Sequence, residues 1–323
     1  MPEAFVDELI TDDMSRKTVR ESVQSCKGLE LTLERKGGNG VSKSKTSGRL
    51  LSMIPEFAKA PLRDLLGTEH PYGLPISEKR RLSRIPRFTN CGATFFGRSL
   101  KLCDPASFLS AHQEIFVEGA YDFDADGPSP VIIDVGANIG LASIFFLRRF
   151  TSASIIAIES DPYICSVLRE NVRTYGGHNV EVVQAAAWDA NETVTFSADH
   201  ADGGRITSEG TTQVNGIRLR DLIAGREIDL LKIDIEGAES RVLQDCANSL
   251  GAVRRVFVEY HSQSGCPQEL SRLLHVLEVG GFRYHIQSAA GNMRSPFLTP
   301  VCHSGFDMQL NIFAFRPKLD TAC

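Results

Sequence analysis

The feature that most constrains this chain is an alternation of short apolar strands with amphipathic helices, which starts near residue 128 and runs to residue 316. Strands are predicted at 131–135, 154–159, 180–188, 228–235, 254–261, 282–287 and 309–316. Several of them are apolar on both faces, which is typical of a parallel sheet covered by helices on both sides. No helix is predicted between the last two strands, so we expect them to pair antiparallel. The pattern therefore predicts an α/β fold with a doubly wound sheet.

The first 110 residues lack this alternation. We expect a mainly helical N-terminal extension at 1–110, with a flexible stretch rich in Gly and Ser at 35–48, followed by the α/β domain at 111–323. Apolar segments in the extension need a surface to cover. They predict that it either caps the substrate site or contacts a second copy of the chain in a homodimer.

Composition narrows the classes of partner. The net charge of the 323 residues is −5, so no general electrostatic attraction to nucleic acid or to anionic membranes is expected. No run of 18 or more apolar residues is present, and the acidic N-terminus is unlike a secretory signal. The eight cysteines are scattered without a CxxC pair, as in proteins whose thiols stay reduced. These features predict a cytoplasmic protein that binds neither nucleic acid nor membrane.

A glycine-containing loop follows the first predicted strand of the sheet, at the edge where doubly wound sheets bind their ligands. Gly136 and Gly140 permit a tight turn and a close approach of the backbone, and the helix that follows offers free N–H groups. Glu159 ends the next strand, 23 positions after Gly136, where a carboxylate can accept both hydroxyls of an adenosine ribose. Together these residues predict a cofactor that contains adenosine.

The residues of this loop also indicate which cofactor is bound. A dinucleotide site needs the pattern G-x-G-x-x-G, but Asn138 occupies the position of the second glycine. No Walker lysine follows, which disfavours a nucleoside triphosphate. Asp134 precedes the loop, and an acidic residue there suits a ligand with a positive end. S-adenosylmethionine, which carries an ammonium and a sulfonium, fits this description.

Three motifs resemble the FkbM family of class I S-adenosylmethionine-dependent methyltransferases. They are DVGANIGLAS at 134–143, ESDP at 159–162 and LLKIDIEGAE at 230–239. The resemblance covers about residues 110 to 316, and residues 1–100 carry none of these motifs. It implies a seven-stranded sheet of order 3-2-1-4-5-7-6. It also implies methylation of a small acceptor, usually at an oxygen of a natural product or a sugar.

The residues read individually agree with this resemblance. We expect Asp134 to orient the loop and the methionine ammonium, and the loop backbone to line the methionine part. We expect Glu159 to hold the ribose, and Trp188 at the third strand end to lie against the adenine. The candidate cofactor-binding residues are Asp134, Gly136, Ala137, Asn138, Gly140, Glu159, Ser160, Asp161, Ala187, Trp188 and Asp234.

Acidic residues crowd the ends of the fourth and fifth strands. Lys232, Asp234 and Glu236 alternate along the fourth, so we expect them to share one face, with Asp234 nearest the sulfonium. Glu259 and His261 share a face of the fifth strand. The candidate catalytic residues are Asp234, Glu236, Glu259 and His261. Glu236 is the candidate for orienting the acceptor, and His261, which titrates near neutrality, is the candidate general base.

A metal ion and a helix dipole are two further interpretations of these acidic residues. The four side chains could hold Mg²⁺ or Ca²⁺, but they have no compact ligand spacing in the sequence, so no metal site is predicted. Glu239 opens the helix after the fourth strand, where a favourable interaction with the helix dipole is the expected role.

The leading function is therefore O-methylation of a small hydroxylated metabolite with S-adenosylmethionine as cofactor. N-methylation of a small amine or amide on the same fold stays open. A dinucleotide-dependent oxidoreductase also stays open, although Asn138 disfavours it. A third alternative is a non-catalytic cofactor-binding or assembly protein, which the crowded carboxylates disfavour. No motif identifies the acceptor.

Overall fold

The computed structural model describes residues 72–201, 203–207, 209–289, 297–298 and 305–317. The predictions for residues 1–71, including the flexible stretch at 35–48, lie outside the described residues. The chain divides into two compact units, Met1–Ser77 and Glu78–Cys323. Residues 78–110, which the sequence assigned to the extension, thus belong to the same unit as the main sheet.

The first described elements form a hairpin between two short helices. They are α1 (Ile76–Leu82), β1 (Cys91–Phe95), β2 (Arg98–Leu102), α2 (Pro105–His112) and a π-helical turn (Gln113–Val117). Strands β1 and β2 pair antiparallel around a two-residue turn, in which Phe96 and Gly97 have φ values of 46° and 69°. Two positive φ values in succession match the twist that a tight hairpin requires. The sequence did not predict this hairpin within the extension.

The remaining strands supply two sheets. In chain order they are β3 (Val131–Val135), β4 (Ser154–Glu159), β5 (Val180–Gln184), β6 (Ala186–Trp188), β7 (Thr193–Ser197), β8 (Arg205–Ile206), β9 (Thr212–Arg218), β10 (Leu230–Ile233), β11 (Arg255–Gln263), β12 (Arg283–Ser288) and β13 (Phe306–Phe315). The helices between them are α3 (Leu141–Arg149), α4 (Pro162–Thr174), α5 (Leu219–Ile223), α6 (Glu239–Asp245), a 3₁₀ helix (Ala247–Ala252) and α7 (Leu270–Val279).

Seven strands form the main sheet, in the order β12-β13-β11-β10-β3-β4-β5. Numbered along the chain and read from the β5 edge, this order is 3-2-1-4-5-7-6. Neighbouring strands from β11 to β5 run parallel, whereas β13 pairs antiparallel with both β11 and β12. The antiparallel pairing of the last two strands is confirmed.

The segment predicted as the third strand is divided between the main sheet and a smaller sheet. The apolar run 180–188 was predicted as one strand, but β5 ends at Gln184, and β6 joins a four-stranded sheet of order β6-β9-β7-β8. The single-strand prediction is wrong because an apolar run does not reveal where the chain changes partners. The small sheet has its own apolar cluster around Phe196 and Val214.

The carboxyl edge of the main sheet is where two helices begin. Asp161 is the N-cap of helix α4, and its side chain accepts hydrogen bonds from the N–H groups of Tyr163 and Ile164. Pro162 occupies the first position of the helix. Helix α3 starts after Gly140, which has a φ of 92°. Central strand residues such as Ile133 are fully buried. Among the described residues, no helix has the length and apolar character needed to cross a membrane.

The turn after β3 approaches the end of β10 closely. A Cβ added at Gly136 would collide with the carbonyl oxygen of Asp234, and Gly136 also has a φ of 76°. Gly97 in the hairpin turn has a similar φ of 69°, but a Cβ there would meet nothing within 4 Å. An added side chain would therefore meet backbone strain at both glycines, but a steric collision only at Gly136.

We expect Gly136→Ala to destabilise the protein more than Gly97→Ala. Both substitutions bear the cost of a positive φ, about 1 kcal/mol, and Gly136→Ala adds about 1–3 kcal/mol because the backbone must shift. Urea unfolding of the two variants beside the wild type measures the difference. Equal losses of unfolding free energy would contradict the close approach.

Candidate active site

The loop after β3 folds back onto the end of β4. The N–H groups of Gly136 and Ala137 both donate to the carbonyl oxygen of Ile158, at 3.0 and 2.9 Å. Asn138 has a φ of 47°, and its side-chain amide donates to the carbonyl of Ala201 at 2.9 Å. The loop is thus fixed on one side by β4 and on the other by the segment that joins the strands of the small sheet.

A buried lysine supports this loop from below. Lys232 Nζ donates to the carbonyl oxygen of Gly136 at 2.8 Å and lies 3.3 Å from Asp234 Oδ2 and 3.6 Å from Asp134 Oδ1. Burial lowers the pKa of Lys232, but the carboxylates of Asp234, Asp134 and Glu259 raise it above its ordinary value, so the ammonium stays charged. The sequence offered one signal for this role, a lysine within an otherwise apolar strand.

Asp134 is completely buried beneath the loop. Its Oδ2 accepts a hydrogen bond from Ser143 Oγ at 2.8 Å, and its Oδ1 has no hydrogen-bond partner in the described part of the chain. These contacts fit the expected role of orienting the loop. Contact with a methionine ammonium stays a prediction.

Glu159 joins the glycine loop to the start of α4. Its Oε2 accepts a hydrogen bond from the N–H of Asn138 at 2.9 Å, and its Oε1 accepts one from the N–H of Asp161 at 2.8 Å. Burial raises the pKa of Glu159 to about 7, against the lowering effect of these two N–H groups. Both oxygens retain a further lone pair for a ligand. Ser160 lies between Glu159 and Asp161, the two residues that the second of these hydrogen bonds joins.

Both carboxylate oxygens of Asp161, which was predicted to lie beside the cofactor, make contacts within the protein. One oxygen caps α4, and the other lies 2.9 Å from Nδ1 of His200. The carbonyl oxygen of Ala201 accepts a hydrogen bond from the Asn138 side chain. The segment His200–Ala201 therefore contacts both the glycine loop and the start of α4. The sequence carried no signal for this connection.

Ala187 and Trp188 lie on β6. Ala187 is buried within the main core, and Trp188 packs beside the small apolar cluster, with its Nε1 donating to Glu192 at 3.1 Å. The guanidinium of Arg241 lies over the indole ring, 4.0 Å from its centre. Packing accounts for both residues, and their contact with adenine stays a prediction.

The acidic residues after β10 lie in a turn rather than on a strand. Pairing with β3 stops at Ile233, so Asp234 and Glu236 fall beyond the strand end, and Glu236 has a φ of 58°. The prediction that Lys232, Asp234 and Glu236 alternate along one strand is therefore wrong. On one side β3 also ends here, at Val135, whereas β11 on the other side continues to Gln263. Lys232 and Asp234 still face each other, across the 3.3 Å stated above.

Glu239 holds this turn from inside. The residue is fully buried at the start of α6, and its Oε1 accepts hydrogen bonds from the N–H groups of Ile235 and Gly237 at 3.2 and 2.9 Å. The same oxygen lies 3.2 Å from Nδ1 of His261. An interaction with the helix dipole describes only part of this arrangement, so Glu239 is a site residue that sequence reasoning underrated.

His261 is brought together with the carboxylates expected beside it. The ring is buried, and Nε2 lies 3.6 Å from Glu236 Oε2 and 3.6 Å from Glu259 Oε1. Burial lowers the pKa of His261, but the hydrogen bond and charge of Glu239, with the charges of Glu236 and Asp234, raise it to about 10. The raised pKa disfavours the neutral ring that a general base needs near pH 7, and the role of His261 as that base stays a prediction.

The other carboxyl groups here are partly buried and close to one another. Burial raises the pKa of Glu259, and the charge of Asp234 raises it further, whereas His261 lowers it. Glu114, which accepts a hydrogen bond from Asn311 at 2.8 Å, also has a raised pKa, chiefly from burial and then from Asp234. The site therefore concentrates carboxyl groups at the ends of β10 and β11, and burial favours the neutral form of these two.

Comparison with known proteins gives a family match. A model of the methyltransferase FkbM domain matches residues 134–307, which is more than half of the 323 residues. The resemblance drawn from the three motifs is confirmed. The match favours methyl transfer over the dinucleotide-dependent oxidation that the sequence left open.

Several curated relatives are similar to this chain over about half its length. Methyltransferase 1 of Beauveria bassiana is 28% identical over 175 residues, which cover 44% of this chain and 69% of that one. The 2-O-methyltransferase NoeI of Sinorhizobium fredii is 27% identical over 183 residues, covering 49% and 72%. The 31-O-demethyl-FK506 methyltransferase FkbM of Streptomyces tacrolimicus is 28% identical over 209 residues, covering 52% and 80%. A solved methyltransferase FkbM from Methylobacillus flagellatus KT aligns with a TM-score of 0.42 at 13% identity, covering 65% of this chain and 53% of that one.

The buried lysine generates a stability prediction. We expect Lys232→Met to lower the free energy of unfolding by about 3–5 kcal/mol, because it leaves Asp134 and Asp234 as unpaired carboxylates. Chemical unfolding followed by circular dichroism measures the loss. The matched control is Lys101→Met, whose exposed ion pair with Glu170 we expect to contribute under about 1 kcal/mol. Similar losses in the two variants would show that Lys232 has no special role.

Proposed function

We propose that this chain, which belongs to the FkbM family of methyltransferases, transfers a methyl group from S-adenosylmethionine to a hydroxyl group of a small metabolite or natural product. Family membership supports methyl transfer. The printed names of two relatives, a 2-O-methyltransferase and a 31-O-demethyl-FK506 methyltransferase, support oxygen as the acceptor atom. Both relatives are under 30% identical to this chain, so the support is for the class of acceptor rather than for a particular compound.

One observation carries the proposal. Lys232 touches the glycine loop through the carbonyl of Gly136 and touches the acidic turn through Asp234. A single buried side chain thus joins the candidate cofactor loop to the candidate acceptor region. Methyl transfer requires such proximity, because donor and acceptor must be aligned for in-line displacement.

The residues present fit S-adenosylmethionine. Glu159 would hold the ribose hydroxyls with the lone pairs that its backbone donors leave free. The positive charge of the cofactor would lie near the excess of carboxylates at this edge, with Asp234 only partly buried. When bound, S-adenosylmethionine supplies a methyl group that its sulfonium activates. The leaving group is S-adenosylhomocysteine, in which the sulfur is an uncharged thioether.

The acceptor side of the reaction needs orientation and removal of a proton. As the hydroxyl oxygen gains the methyl group, the hydroxyl proton must leave for an acceptor at the site. We assign orientation to Glu236 and Glu259, whose oxygens lie together beside His261. Glu239 fixes the ring of His261 through Nδ1, so the histidine has one defined direction in the site.

Methyl-labelled S-adenosylmethionine tests the proposed reaction. The protein is incubated with pools of hydroxylated metabolites, and each pool is searched by mass spectrometry for a compound that gains one labelled methyl group. The carbon chemical shift of that methyl then distinguishes an O-methyl from an N-methyl product. An N-methyl product would overturn the assignment of oxygen, and labelled methyl on no acceptor in hydroxyl-rich pools would count against the whole proposal.

Cofactor binding depends on Glu159 in this proposal. We expect Glu159→Gln to weaken binding of S-adenosylhomocysteine by about 10- to 100-fold, because the amide offers one acceptor oxygen where the carboxylate offers two. Burial raises the pKa of Glu159 to about 7, so the wild-type carboxylate gains charge, and affinity, as the pH rises through this value. In the variant that rise should be absent.

Isothermal titration calorimetry at several pH values measures both effects. The control is Glu170→Gln, a partly exposed position on α4 whose carboxylate pairs with Lys101, and we expect it to bind as the wild type does. Unchanged affinity in Glu159→Gln would place the ribose elsewhere.

A further inference from the structure

Side chains from two neighbouring strand ends converge on one point. Asp234, Glu236 and His261 each offer a ligand atom within 4.8 Å of the others. His261 Nε2 also lies 3.6 Å from both Glu236 Oε2 and Glu259 Oε1, which is longer than a hydrogen bond. Ligands of a shared ion with bonds of about 2.1 Å lie about 3–3.6 Å apart. His261 Nε2 therefore lies at this spacing from both glutamates, and a ligand atom of Asp234 lies within 4.8 Å of Glu236 and His261.

The orientation of His261 is that of a metal-binding histidine. Its side chain is only 1% exposed, and Nδ1 meets the carboxylate of Glu239 at 3.2 Å. Nε2 points at the carboxylates and makes no hydrogen bond within the described ranges. Histidines that bind metals through one ring nitrogen nearly always use the other on a carboxylate or carbonyl, which fixes the tautomer. This is an observation independent of the acidic cluster itself.

The charge balance also favours a cation. Lys232 contributes positive charge here, but its Nζ already serves the Gly136 carbonyl and the carboxylates of Asp134 and Asp234. The carboxylates of Glu236, Glu239 and Glu259 all lie within 3.6 Å of a ring nitrogen of His261, so negative charge is concentrated around this one side chain. A divalent cation would replace proton binding as the means of offsetting this repulsion.

We propose that Asp234, Glu236 and His261, with Glu259 as a fourth ligand, bind a divalent cation. Carboxylates with one imidazole suit a first-row ion such as Mn²⁺ better than Ca²⁺, which prefers an all-oxygen set. Binding of the ion is independent of the proposed function, but its role rests on that function. A cation here would lower the pKa of an acceptor hydroxyl beside it, and the hydroxyl proton would then pass to a water molecule rather than to His261.

Binding of Mn²⁺ alone tests the proposal. The full chain, freed of metal with a chelator, is titrated with Mn²⁺ while the signal of the free ion is followed by electron paramagnetic resonance. We expect one site per chain in the wild type and binding weakened by about 10-fold or more in both Glu236→Gln and Glu259→Gln. The control Glu170→Gln should bind Mn²⁺ as the wild type does. A wild type without a stoichiometric site, or a Glu236→Gln variant with wild-type affinity, overturns the proposal.

Two further measurements keep the outcome decisive. If the Glu236→Gln and Glu259→Gln variants fail to fold, the wild type is studied instead by nuclear magnetic resonance. The broadening of its imidazole resonances is measured at low Mn²⁺ concentration. We expect His261 to be broadened selectively, and uniform broadening of all histidines overturns the site. Calorimetry with S-adenosylhomocysteine separates the two proposals. A protein that binds this ligand but not Mn²⁺ sinks the metal site alone, whereas one that binds Mn²⁺ but not the ligand sinks the proposed function alone.

Discussion

The carboxyl edge of the sheet depends on one buried ammonium. Moving Lys232 out of water is costly, and the structure offsets that cost with two aspartates and a backbone carbonyl. In return the ammonium fixes the end of β3 against the end of β10. Without this cation, Asp134 would be a buried charge with only Ser143 as a partner, and the glycine loop would lose its support from below. The position of both candidate subsites follows from this arrangement.

A second constraint is the turn between β10 and α6, which is shaped from within. Glu236 and Gly237 have φ values of 58° and 109°, conformations that cost free energy for most residues, Glu236 included. Glu239 offsets the cost by accepting the N–H groups of the turn with a fully buried carboxylate. The same carboxylate orients His261, so the geometry of the turn and the direction of the imidazole are set together. Strain at this point is consistent with a functional rather than a purely structural turn.

Much of this could be predicted from sequence, and the exceptions share a physical origin. Periodicity identified the strands of the main sheet and placed Asp134, Glu159 and His261 at its edge, because local pattern and burial agree there. The break after Gln184 was missed because it depends on which strand the chain pairs with next. The burial of Glu239 was missed because it depends on contacts with a residue 22 positions away. Sequence reasoning located the side chains, whereas their partners and protonation states arise only from packing.

The close approach of Gly136 to Asp234 has a consequence for how such an enzyme can diversify. With no space for even one added carbon, the two halves of the sheet are locked together at the point where they carry the loop and the acidic turn. A larger residue at position 136 therefore requires the two strand ends to move apart. Under the proposed function, different acceptors would be accommodated by segments that border this edge, such as the connections of the small sheet. Under that proposal, the glycine loop and the acidic turn would stay constant while the bordering segments vary with the acceptor.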